Sequence, residues 1–314
     1  MGEKTLKTFV VIDNSNLLHQ GQKALPTLLN APFLHEISDL CFDYDKLVEC
    51  ILDGRESGGK TVLVTSTPSP LSPVWRRLSS DGYTWLDFPR PGGRGGEKGN
   101  DVAVAVESIL HVMSSTSVGT LALVCGDGDY THLVKTVLQR GWAIEVHFWP
   151  NGECNLWNKC LQYAVTNMVS HAEVSKLLHG VIEKPTLKDR FTEIVYAYGT
   201  KGVHDMQLLF DFDACHEEIG NMSEEDILKI ARQWKTFVWW YRLGVGTPTL
   251  RFLFVKEEQR RLAINHLSDT KPHWKIPFPD IIEKKRGRSA SNSSIHSHDS
   301  HPSQNLRPVK QTRQ

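Results

Sequence analysis

Short apolar runs recur through the first half of the chain, with helix-spaced stretches between them. Thr8–Ile12, Thr61–Thr65, Thr84–Phe88, Leu121–Cys125 and Ala143–Phe148 are the runs, and several are rich in β-branched residues. Continuous apolar strands of this kind belong to a parallel sheet covered on both faces. The intervening segments Tyr44–Asp53, Pro73–Ser80, Val102–Met113, Leu133–Arg140 and Leu156–Thr166 read as helices. In the third of these, Val102, Val106, Ile109, Leu110 and Met113 fall on one face, and Asp101 stands where an N-cap belongs. Regular alternation of strand and helix predicts an α/β domain over residues 1–180. Ligands of such sheets bind beyond the carboxyl ends of the strands.

The pattern changes near Val181–Thr186, which reads as a linker. Beyond it come a helix (Leu187–Tyr198), a strand (Met206–Phe212), a helix (Ile227–Trp234), two strands (Thr236–Arg242 and Thr249–Val255) and a helix (Lys256–Leu267). This order predicts a smaller α+β domain over 187–282, ferredoxin-like or winged-helix-like. Its two late strands interleave aromatics with Arg242 and Arg251. Such a surface stacks bases if open and fills a core if covered, and core filling is the expected outcome. It is equally open to a protein partner. Residues 283–314 lack aromatics and carry seven Lys/Arg against two acids, the composition of a disordered basic tail.

Composition narrows the class without naming a chemistry. Lys+Arg and Asp+Glu both number 36, so there is no global basic field. No apolar run reaches membrane-spanning length, so no membrane partner is expected. The six cysteines show neither CxxC nor zinc spacing, which reads as reduced thiols in the cytoplasm or nucleus.

The chemistry lies where apolar runs end in acid. Phe9-Val-Val-Ile runs into Asp13, with Asn16 three residues later. Leu121–Cys125 runs into Gly126-Asp127-Gly128-Asp129, where glycine permits a sharp turn and extended backbone would aim both carboxylates one way. Asp101 opens a helix after Gly96-Glu-Lys98-Gly-Asn100. Carboxylates gathered at one sheet edge repel one another unless a cation sits among them. All-oxygen donors favour Mg²⁺ or Mn²⁺, which activate water and stabilise phosphoryl charge.

These three blocks, VVIDNSNL (10–17), GEKGNDVAVA (96–105) and LVCGDGDYTHLV (123–134), resemble in order and spacing the signatures of the NYN domain, a branch of the PIN-like nuclease superfamily. The resemblance implies a three-layer α/β/α fold and a metal-dependent ribonuclease, with internal cleavage as the working expectation. Asp13, Asp101, Asp127 and Asp129 would bind Mg²⁺ or Mn²⁺, and Asn16 would orient a ligand or water beside them. Lys98 would approach a substrate phosphate; read from the residues themselves, Arg94 in the glycine-rich loop and His132, three residues past the Asp pair, are further candidate RNA contacts. Glu107 reads as a solvated helix residue. Asn100 stands where an apolar residue is common, Gly128 where serine is common, and His19–Asp45 is a long first crossover that reads as an insertion over the site. The alternative is a catalytically inactive NYN-fold module that binds RNA or protein. A rival motif, Asp127-x-Asp129-x-Thr131, fits a dehalogenase-like phosphatase, but three strands precede it and no later acidic pair follows.

Overall fold

The first strand, β1 (Thr8–Asp13), is buried at all six positions in the computed structural model. That structure describes residues 6–34, 37–65, 82–88, 99–149, 181–199, 208–244 and 247–277. The expected helices Pro73–Ser80 and Leu156–Thr166, the glycine-rich loop with Arg94 and Lys98, Cys154, Cys160 and the tail lie outside the described residues.

The chain continues through α1 (Asn14–Leu28), β2 (Leu40–Phe42), α2 (Tyr44–Leu52), β3 (Thr61–Thr65), β4 (Tyr83–Asp87), α3 (Asn100–Ser114), β5 (Thr120–Val124), α4 (Thr131–Gln139), β6 (Ala143–His147) and β7 (Val181–Lys184). Strands β1 and β3 to β7 form one sheet in the order β4-β3-β1-β5-β6-β7, parallel throughout. Apolar cover on both faces is what their continuous hydrophobic runs demanded. Val181–Lys184, expected as a linker, is the sixth strand of this sheet, paired with β6.

Two short helices, α5 (Thr186–Asp189) and α6 (Phe191–Ile194), lead into β8 (Val195–Tyr198). Thus Leu187–Tyr198 is helical only in its first part and ends as a strand. Then come β9 (Phe210–Cys215), α7 (Glu217–Asn221), α8 (Glu224–Ala231), β10 (Trp239–Arg242), β11 (Thr249–Phe254) and α9 (Glu257–Thr270). The second sheet is mixed, in the order β2-β8-β10-β11-β9. This order, with β8 parallel to β10, is neither ferredoxin-like nor winged-helix-like. Its edge strand β2 comes from the long first crossover.

Three hydrophobic clusters stack these layers. One joins α3 and α4 to the outer face of the parallel sheet. The middle one holds Val10, Ile12 and Val124 from that sheet together with α1, α2, and Ala197, Trp239 and Leu253 from the second sheet. The third joins the far face of the second sheet to α7, α8 and α9. The result is α/β/α/β/α layering within a single compact unit, Met1–Pro277. The two expected domains therefore share a core. Residues Leu29, Ala31, Leu34 and Ile37 of the crossover are buried in it, so this segment contributes to the inter-sheet layer.

One local expectation is corrected and another is met. Helix α3 buries Ala103, Val104, Ser108 and Val112. Its other apolar stripe faces out, with Val102 65 % and Leu110 57 % exposed. Small and β-branched residues let the helix sit close to the sheet, and Ser108 satisfies its hydroxyl on the Val104 carbonyl at 2.7 Å. The aromatics of β10 and β11 fill cores on both sides of the second sheet: Trp239 on one, Trp240, Phe252 and Phe254 on the other. The interleaved arginines are also engaged, Arg251 with Asp213 at 2.6 and 2.8 Å and Arg242 with the Ile219 and Met222 carbonyls. Core filling is the outcome, as expected.

Candidate active site

Neighbouring parallel strands bring two of the acidic segments side by side. In the β1–β5 pairing Ile12 lies opposite Val124, so Asp13 and Cys125 leave the sheet at the same edge. Strand β4 ends at this edge too, and the chain returns there to begin α3. Gly99 caps that helix at φ +110°, a conformation that favours glycine. Asp101 therefore lies in the first turn and is not the N-cap.

Asp13 is buried, 3 % exposed. Its Oδ1 caps α1 by accepting the Asn16 amide at 3.0 Å. Its Oδ2 accepts the Tyr130 hydroxyl at 2.8 Å, and the Cys125 thiol lies 3.9 Å away. The same hydroxyl lies 3.2 Å from Asp101 Oδ1. Burial, then the nearby Asp13 charge, pushes the Tyr130 pKa far above its ordinary value, so the hydroxyl keeps its proton. One proton thus faces two carboxylates from segments far apart in sequence.

Further polar bonds tie the three motif blocks together. Asn16 Oδ1 accepts the Gly126 amide at 3.0 Å, bracing the loop after β5. Asn100 donates to Ser15 Oγ at 3.0 Å, bracing the start of α3. Asn100 is 1 % exposed, and its Oδ1 has no hydrogen-bond partner among the described residues. Asn14, also buried, accepts the Tyr44 hydroxyl at 2.6 Å and donates to Thr65 at 3.3 Å.

The Gly-Asp-Gly-Asp segment departs from the expected extended form. Gly128–Tyr130 is a single 3-10 turn, and Asp127 caps it by accepting the Asp129 amide at 3.0 Å. Neither Gly126 nor Gly128 has a positive φ. Both are buried. Asp127 is half-buried and Asp129 exposed. Among the described residues, no trio drawn from Asp13, Asp101, Asp127 and Asp129 brings ligand atoms within 4.8 Å of one another. The structure joins Asp13 and Asp101 through Tyr130 and sets Asp127 and Asp129 along the same edge. His132 is exposed in the first turn of α4. His147 is buried and meets Thr186 Oγ1 at 3.1 Å, a structural role.

The family model for the NYN domain matches residues 7–169, just over half of the chain. The chain belongs to the NYN family. NYN domains are PIN-like and nuclease-type, and the three acidic blocks of this NYN chain are the ones the polar bonds above lace together. A crystal structure of a protein of unknown function from Vibrio parahaemolyticus is similar at 16 % identity, covering 58 % of this chain and 95 % of that one, with a TM-score of 0.36. No curated protein matches. Among the described residues, no helix is long and apolar enough to cross a membrane.

Reading the residues alone missed Tyr130, Ser15 and Asn14, and treated Asn100 only as a departure. Tyr130 lies inside the third block, where it reads only as a letter of the motif. Nothing in its letter told that its hydroxyl reaches two other blocks.

Proposed function

We propose that this NYN chain is a metal-dependent ribonuclease that hydrolyses RNA phosphodiester bonds at the carboxyl edge of its parallel sheet. The observation that carries the reading is the Tyr130 hydroxyl shared by Asp13 and Asp101. Two carboxylates meet at one hydroxyl, and the buried Asn100 Oδ1, without a hydrogen-bond partner among the described residues, adds an oxygen donor next to Asp101 in the chain. This donor set fits a hard divalent cation, Mg²⁺ or Mn²⁺, held by Asp13 and Asp101 with Asp127 and Asp129 on the rim. When bound, such an ion supplies charge against the scissile phosphate and a more acidic water.

The chain's own groups do the positioning. Tyr130 holds the two acids at a common point, Asn16 holds the loop that bears Asp127 and Asp129, and Asn100 seats the first turn that bears Asp101. Lys98 and Arg94, outside the described residues, and the exposed His132 supply the contacts to RNA in this reading.

A second reading has an observation in its favour. Asp127 spends its carboxylate on its own turn, and no acidic trio converges. That geometry suits a module that binds RNA without cutting it. Labelled single-stranded and hairpin RNA, incubated with Mn²⁺, Mg²⁺ or EDTA, decides between them. The nuclease cuts only with metal, and Asp101→Asn, exposed and free of capping duty, abolishes cutting. Retained binding without cutting by the native chain on every substrate refutes the nuclease and leaves the module.

A further inference from the structure

Away from the acidic edge, three metal-ligating side chains converge among the described residues. His216 follows β9 directly, Glu218 lies in the first turn of α7, and His273 lies just past α9. One donor atom from each sits within 4.8 Å of the other two. The imidazole rings meet edge to face with centroids 4.6 Å apart, and His273 Nε2 is 3.3 Å from Glu218 Oε1. His216 and Glu218 are half-buried and His273 is exposed, so an ion has access.

We propose that His216, Glu218 and His273 bind a transition-metal dication, with Zn²⁺ the best match. Two imidazoles and one carboxylate are a zinc donor set, and the fourth position is open to water. The site is independent of the acidic edge, and its oxygen-poor donors select a different ion.

The surroundings define what binding displaces. Glu218 Oε1 already receives Lys271 Nζ at 3.0 Å and the Trp274 indole N–H. The contacts with Lys271, Trp274 and His273 all use Oε1, which leaves Oε2 for the ion. His216 Nδ1 accepts the Glu218 backbone N–H at 3.2 Å as the cap of α7. A neutral imidazole has one lone-pair nitrogen. Metal on His216 therefore takes that lone pair and releases the Glu218 amide, whichever ring nitrogen binds. Loss of one cap is small against a set of metal bonds.

The position also says what the ion would do. β9 is an edge strand, and Cys215 meets Lys275 through two backbone hydrogen bonds of 2.9 and 3.0 Å. A metal on His216 and His273 clamps the segment after α9 onto that edge, where the chain departs toward its basic tail.

The test must exclude two other sinks for metal, the acidic edge and the tail residues His296, His298 and His301. The full chain with those three histidines changed to alanine is the background, and His273→Ala is added to it. Zn²⁺ titration followed by calorimetry gives the stoichiometry, and amide NMR follows Glu218. The background chain is expected to bind one equivalent more than the His273→Ala chain, with the Glu218 amide moving only in the former. Glu218→Gln, which keeps the bulk of the side chain, is expected to weaken the same equivalent at least tenfold. Equal stoichiometry in all three chains with an unmoved Glu218 amide overturns the site. Neither outcome depends on whether the chain cuts RNA.

Discussion

Replacing Tyr130 by phenylalanine deletes one oxygen from a buried position and leaves the ring to pack as before. The lost hydroxyl donates at 2.8 Å to Asp13, and Asp101 lies 3.2 Å from it. Asp13 keeps the Asn16 amide but loses a donor to a charge that is nearly sealed from water. Hydrogen bonds to charged groups contribute about 1.5–3 kcal/mol net, so the expected loss is about 2 kcal/mol. For a chain this size that lowers Tm by about 3 °C. The ion dependence carries the argument. Urea melts run in EDTA are expected to show the full loss. Melts in saturating Mn²⁺ are expected to show less than half of it, because a cation at the acid pair takes over from the missing donor. Any Mn²⁺ held at His216 and His273 acts equally on both chains and cancels. Equal losses in EDTA and Mn²⁺ would refute a cation at Asp13 and Asp101. A loss under about 0.5 kcal/mol in both would refute the claim that this hydroxyl holds the pair.

Three further outcomes follow from the same geometry. Glu145 is buried, and although burial alone raises its pKa, His147 and the bidentate Arg55 pair at 2.8 Å bring it down to about 2 from 4.5. Its folded pKa is depressed, so its stabilisation, about 3 kcal/mol, is complete above pH 4.5 and lost as pH falls toward 2. Glu145→Gln should flatten that acid limb in pH-resolved urea melts. Gly99→Ala forces φ +110° on a residue with a Cβ, and that Cβ meets the Phe88 ring at 3.1 Å. It should cost more than about 1 kcal/mol and lower RNA cleavage by displacing Asp101, as read by melts and turnover together. On α3, Leu110→Ser at an exposed position should change stability by less than about 0.5 kcal/mol, while Val104→Ala, fully buried, should cost about 2 kcal/mol. The reverse ranking in a denaturant melt would restore the expected face.

The parallel strands were legible in the letters because a strand buried on both faces can only be an unbroken apolar run. Thr8–Asp13 and Thr120–Val124 are such runs, and the acids beyond them fall at one edge once the strands are parallel. The family was legible for the same reason: its blocks are local strings. Alternation of strand and helix likewise announced the α/β class. What the letters left open are the properties set by partners far along the chain. Both stripes of α3 are apolar, and only the closeness of the sheet selects the one with Ala103, Val104 and Ser108. β2 and β7 have three and four residues, too few for a periodic signal, and exist because Leu40 meets Ala197 and Val181 meets Ile144. The second sheet joins the first through a core no local pattern encodes. Tyr130 reaches Asp13 and Asp101, and His216 reaches His273, only across tertiary folds. Local physics wrote the strands and their acids into the sequence, and long-range packing alone decided which side chains meet.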